Sequence, residues 1–158
     1  MDAKFSAEEH YRRGCELLTD ERCPDAFEHF RAAHELERSN PRYASYYGLG
    51  LALVERRFNR AVELCRGAVK EEFFSPDLYR NLAQVHLVFG FKAEAIRYLR
   101  RGLMIDPGHA RILEDLQDLG LRGQPVLGFL PRRHFVNRWL GRARKQMGLE
   151  MEGAEAAV

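Results

Sequence analysis

The residues with chemical potential in this chain are scattered rather than gathered. Gly48-Leu49-Gly50 opens like a dinucleotide-binding turn, but Leu53 stands where the third glycine is required. The run also lies inside a helical segment rather than between a strand and a helix. There is no P-loop. "HELER" at 34–38 has Arg38 where a zinc-binding HExxH needs its second histidine. The six histidines (10, 29, 34, 86, 109 and 134) include no i,i+4 pair, and His29 and His34, five apart, point about 140° away from each other on one helix. His86 is expected to pack or hydrogen-bond between helices. Cys15, Cys23 and Cys65 are odd in number and have no CxxC spacing, which predicts free thiols in a reducing compartment, with the cytoplasm as the default. Glu71-Glu72 reads as a solvated helix end. No nucleophile–base constellation can be assembled, so the expectation is a non-enzymatic protein without metal or cofactor.

The remaining chemistry is recognition. Residues 119–149 carry seven cations and no acid, within a net charge of only +2 for 158 residues. Phe135, Val136, Trp139, Leu140, Ala143 and Met147 fall on one helical arc of about 140°, while Arg138, Arg142, Arg144 and Lys145 take the other side and Arg132 and Arg133 lead in. Three readings fit this segment. It can be a cover over the open end of a larger helical body, a foot on an anionic membrane surface, or a contact for nucleic acid or an acidic protein. The cover and the charged contact are compatible, because they use different faces. The longest apolar run, "YYGLGLALV" at 46–54, is far short of the ~20 residues that span a bilayer, so no membrane span is expected. The first ten residues lack the apolar core of a signal peptide.

The elements that position these residues repeat. "DAFEHFRAAHEL", "RAVELCRGAVKE" and "EAIRYLRRGLMI" each carry a small residue, a bulkier one four later and a small one three after that. The triplets are Ala26/Phe30/Ala33, Ala61/Cys65/Ala68 and Ala95/Leu99/Gly102, at steps of 35 and 34 residues. Each is preceded by a second helical segment with its own small residues: Gly14, then Gly48 and Gly50, then Ala83. Glycine inside a helix costs about 1 kcal/mol in propensity, so its recurrence predicts close helix–helix approach. Ser6 with Glu9 forms a capping box, and Asn40-Pro41 and Ser75-Pro76 each supply an N-cap and a first-turn proline. Helices are predicted at about 7–20, 24–37, 41–55, 58–72, 76–89, 92–105, 109–119 and 133–146.

These residues resemble the tetratricopeptide repeat (TPR) family, whose unit is a 34-residue antiparallel helix pair. Tyr79, Leu82, Ala83, Gly90, Ala95, Leu99, Gly102 and Pro107 fall on its signature places. Copy one matches through Gly14, Leu17, Ala26, Phe30 and Ala33. Copy two admits either Gly48 or Gly50 and has a loop one residue off, with Phe73 where the closing proline would stand. The resemblance implies an all-α, right-handed superhelix of about three helix pairs: repeats at about 7–40, 41–75 and 76–108 and a half repeat at 109–120. A Gly/Pro connector at 121–131, a basic amphipathic capping helix at 132–148 and a tail at 149–158 complete the reading. Helix 109–119 sets Ile112, Leu113, Leu116 and Leu119 against a polar side of Glu114, Asp115 and Asp118.

The resemblance also implies a groove lined by the first helix of each pair, binding a peptide segment or helix of another protein. Matching places give Tyr11, Arg12, Cys15 and Leu18; Tyr46, Leu49 and Leu53; and Arg80, Asn81, Gln84 and Leu87. The leucines fit packing between helices equally well. TPR domains that grip acidic chaperone tails use Lys, Arg and Asn where Tyr11, Cys15, Asp77 and Asn81 stand here, which argues against that subtype. The expected role is an adaptor or scaffold. Alternatives are nucleic-acid or anionic-surface binding through the basic end, or a small TPR chaperone of a secreted protein. A homo-oligomer is also compatible.

Overall fold

The computed structural model describes residues 5–120. Residues Met1–Leu116 form one compact unit and Gln117–Val158 a second, of which only 117–120 are described. The expected connector, capping helix and tail, and with them Arg132, Arg133, Arg138, Arg142, Arg144 and Lys145, lie outside the described residues.

Seven helices follow one another: α1 (Ala7–Thr19), α2 (Cys23–Leu36), α3 (Pro41–Leu53), α4 (Phe58–Glu71), α5 (Pro76–Val88), α6 (Lys92–Ile105) and α7 (Ala110–Gly120). No strand occurs among the described residues. Each α1/α2, α3/α4 and α5/α6 pair packs most closely on itself, then on its neighbour. The fold is an all-α solenoid of helix pairs, in which stacking supplies the core that a lone pair lacks.

Local chemistry sets the helix ends. Ser6 Oγ accepts from Glu9 N (3.2 Å) while Ser6 N donates to Glu9 Oε2 (2.7 Å). Asn40 Oδ1 accepts from Arg42 N (3.1 Å) ahead of Pro41. Ser75 differs from expectation: its backbone is in the N-cap conformation, but its side chain makes no capping bond. The fixed φ of Pro76 is what remains to favour the turn there.

The turns inside the pairs share a device that the sequence pattern only hints at. Gly90 has φ 83°, and Glu21 and Arg56, at the matching places, have φ 61° and 57°. After α1, Arg22 N donates to Leu17 O and Glu21 N to Leu18 O; after α5, Phe91 N donates to His86 O and Gly90 N to Leu87 O. Both are Schellman closures around a left-handed residue. After α3 the long bond runs from Arg57 N to Leu51 O, one residue wider, which is where the extra loop residue of copy two is absorbed.

The small residues mark contacts, as their spacing predicts. A Cβ on Gly14 would lie 2.5 Å from Phe30 Cε1, and one on Gly102 2.5 Å from Ile112 Cδ1. The choice between Gly48 and Gly50 dissolves, because both are used. Gly48 faces its own partner helix, where a Cβ would meet Cys65 Sγ at 2.9 Å and the Ala61 carbonyl at 3.0 Å. Gly50 faces the preceding pair, with Phe27 Cδ2 at 2.5 Å. The register that matches Gly14 and Ala83 is therefore that of Gly48.

Hydrogen bonds tie each pair to the next at about one repeat's separation. Tyr43 Oη donates to Glu8 (2.7 Å) and Asn81 Nδ2 to Ser45 Oγ (3.2 Å). Arg80 Nε and Nη2 donate to the two oxygens of Asp115 (2.7 and 3.2 Å).

Candidate binding surface

The candidate residues sit on α1, α3 and α5, the first helices of the pairs. With Gly48 setting the register, the places of Tyr11, Arg12, Cys15 and Leu18 are filled in copy two by Ser45, Tyr46, Leu49 and Ala52. Copy three has Arg80, Asn81, Gln84 and Leu87. Leu53 is thus one residue off the expected lining, and Ser45 takes a place that spacing alone did not assign.

The structure brings some of these residues together. The Tyr11 ring lies 5.1 Å from that of Tyr46, edge to face, and 5.4 Å from that of Tyr43. Its hydroxyl is in hydrogen-bonding contact with the Cys15 thiol and the Tyr46 hydroxyl. Asp77, Arg80 and Arg111 lie within electrostatic reach of this cluster. Burial raises the pKa of Tyr11, Tyr46 and Cys15 alike. For Cys15, the Tyr11 hydrogen bond and the Arg111 charge oppose that rise without cancelling it. The site therefore holds two phenols and a thiol, not a phenolate or thiolate nucleophile. It can donate hydrogen bonds and present ring faces, which is the chemistry of recognition.

Other members are placed differently. Arg12 is exposed on another side of α1, where it borders a recess of about 370 Å³ with Phe5, Glu9, Arg13 and Glu16. Arg80 is committed to Asp115, whose side chain is only 4% exposed. This changes two expectations: Asp115, expected on the polar side of α7, is buried, and Arg80, expected as groove lining, is held to α7 by its pair with Asp115. Asp118 is likewise buried. Tyr46, Leu49, Asn81, Gln84, Leu53 and Leu87 are buried rather than open lining. The leucines and the Tyr46 ring are core, and Asn81 is held by Ser45. The face that remains half-open runs along α1, through Tyr11, Cys15 and Leu18, with Asp77 and Arg111 in electrostatic reach of Cys15.

Gln84 is the exception within the buried set. It is fully buried, and neither its Oε1 nor its Nε2 has a hydrogen-bond partner. At the matching places stand Cys15 and Leu49.

Cys15 carries a half-buried free thiol and Cys65 a buried one. Cys65 donates to the Ser45 carbonyl (3.3 Å), and burial pushes its pKa up to about 12. Among the described residues no three His, Cys, Asp or Glu side chains group to hold a metal ion, and no helix is long and apolar enough to cross a membrane.

No protein-family description and no curated protein sequence matches the chain. Among solved structures, 31 chains match. One, titled "Crystal structure of MamA", superposes with a TM-score of 0.53 at 17% identity, covering 92% of this chain and 81% of that one. At that identity the likeness is one of fold, and it agrees with the helical-repeat reading of the sequence.

Proposed function

We propose that this protein is a non-enzymatic interaction scaffold that holds a segment of another protein against the face formed by its first helices. The observation that carries this reading is the half-open pair Tyr11 and Cys15, set over the buried Tyr46, kept neutral by burial and flanked by charges of both signs, Asp77 and Arg111. Aromatic anchors of this kind give contact area and a polar tip at low entropic cost. A partner segment with apolar anchors and backbone groups to hydrogen-bond is the fitting occupant. Site-specific photocrosslinking tests this. A crosslinker at position 15 should capture a partner that Arg111→Glu weakens, and one at exposed position 100 on α6 should not. Capture from position 100 alone overturns the reading.

A second reading rests on charge segregation. The run from Arg132 to Lys145 docks on nucleic acid or an acidic protein, and binding then falls steeply with added salt. Absence of binding at low salt removes it.

A further inference from the structure

A second cleft lies along α4, away from the α1 cluster. Its volume is about 720 Å³, and its lining includes His34, Arg38, Phe58, Arg66, Lys70 and His86. Two features make it more than a surface furrow.

The first is histidine placement. His86 is only 4% exposed, and neither ring nitrogen has a hydrogen-bond partner. It occupies the place of Leu17 and Leu51 in the other two copies, both of which are core residues. The buried Nδ1 of His34 is likewise without a partner. Each imidazole is stacked on a tyrosine: His34 on Tyr47 (5.2 Å, 22°) and His86 on Tyr98 (5.3 Å, 24°). Stacking fixes the ring planes and leaves the buried in-plane nitrogens, His34 Nδ1 and both of His86, without hydrogen-bond partners.

The second is charge. Four cations line the cleft (Arg38, Arg60, Arg66 and Lys70) against Glu63 and Glu71. Arg60 is paired to Glu63 at 2.8 Å. Arg38 and Lys70 make no ion pair among the described residues, and the one polar contact of Arg66 is a long one, 3.5 Å, to Tyr98 Oη. Buried imidazole nitrogens that lack acceptors and donors, beside cations that lack anions, ask for the same kind of guest.

We propose that this cleft binds a phosphate monoester, with His34 and His86 hydrogen-bonding its oxygens and Arg38, Arg66 and Lys70 supplying the countercharge. A phosphate monoester carries about −1.5 to −2 charges at neutral pH and three acceptor oxygens, which suits several separated donors. The cleft exceeds the volume of a phosphate group alone, and Phe58 and Val62 offer apolar wall to the body that bears it. Burial first, and then the neighbouring arginines, lower the pKa of both histidines, so they meet the ligand as neutral imidazoles and gain protons as it binds. Glu35 near His34 and Glu94 near His86 oppose the arginines' effect.

The test is a titration of the folded chain at constant ionic strength with three probes: inorganic phosphate, a phosphoserine peptide and the same peptide with serine. Imidazole NMR resonances are followed as the readout. The expected result is that phosphate-bearing probes shift the His34 and His86 resonances and raise their titration midpoints, and that the serine peptide does neither. His86→Leu should weaken binding about tenfold or more while remaining folded, because leucine fills this place in the other copies. Arg38→Ala with Lys70→Ala should weaken it and flatten its salt dependence. A tighter phosphoserine peptide marks a protein-borne phosphate as the source, and equal affinity for inorganic phosphate marks a free one. The proposal is overturned if no phosphate probe moves either histidine, or if His86→Leu and the Arg38/Lys70 pair bind as wild type does.

Discussion

Replacing His86 with leucine should stabilise this protein, against the usual direction of core substitutions. The imidazole is 96% buried by its 4% exposure, and both nitrogens are without partners. An unsatisfied buried polar group costs about 1–3 kcal/mol. Losing the stack on Tyr98 and the edge contacts with Phe58 and Phe91 returns about 0.5–1.5 kcal/mol of that. The net gain at pH 7.5 is therefore about 1 kcal/mol, or roughly 2–4 °C in Tm for a chain of this size. The gain should grow on acidification. Burial, with Arg66, holds the folded pKa of His86 below 6.5, so between the folded value and 6.5 the unfolded chain binds more protons and the native state loses ground as pH falls. The slope is at most about 1.4 kcal/mol per pH unit for one such group. His29 and His34 are lowered in the same direction and steepen the wild-type curve, but the difference between wild type and His86→Leu isolates one site. Urea unfolding followed by circular dichroism at pH 7.5 and 5.5 measures both terms. A variant less stable than wild type by 1 kcal/mol, or a difference that shrinks at pH 5.5, refutes the reasoning.

Arg80→Ala should cost about 1.5–3 kcal/mol, because it removes both charge-assisted hydrogen bonds from Arg80 to the buried Asp115 carboxylate; adding Asp115→Asn should recover part of that loss in the same unfolding assay. Arg56→Gly should lower stability by about 0.5–1 kcal/mol, since relief of the left-handed backbone at φ 57° is outweighed by the added freedom of the unfolded chain and by loss of the Arg56 hydrogen bond to the Val88 carbonyl and its stacking over Phe89. Gly90→Ala, at φ 83°, should lower stability by about 1 kcal/mol, because alanine is strained in that left-handed conformation. Gly48→Ala should lower it by about 1–3 kcal/mol, because the new methyl meets the backbone carbonyl of Ala61 at 3.0 Å and a carbonyl in a helix cannot step aside. A Gly48→Ala protein with an unchanged urea midpoint contradicts the close approach of α3 and α4.

Much of the fold could be read from the residues because its signals are local or strictly periodic. Ser6 with Glu9 is a capping box whatever surrounds it, and the small-residue triplets declare contacts because only a close neighbour makes such residues worthwhile in a helix. What could not be read depends on the next repeat. By its own helix Asp115 belongs to a polar side; in the fold it is buried and pairs with Arg80, one repeat earlier. That 35-residue spacing of opposite charges is a signal that helix-by-helix reading passes over. Glu21 and Arg56 carry no mark of a left-handed turn, and only their register against Gly90 reveals one. Tyr46, Leu49 and Gln84 read as groove lining from their places, yet their exposure is decided by what stacks around them. The same comparison of places shows where the array departs from its own core chemistry. At two sites in α5, Gln84 and His86, copy three sets polar groups where copy two has Leu49 and Leu51, and both are left without partners. Two residues apart on a helix, they point roughly 160° away from each other, one on the face of the α1 cluster and one into the cleft along α4. A sequence that gives up core stability twice within one turn, on opposite sides, does so where binding can repay it.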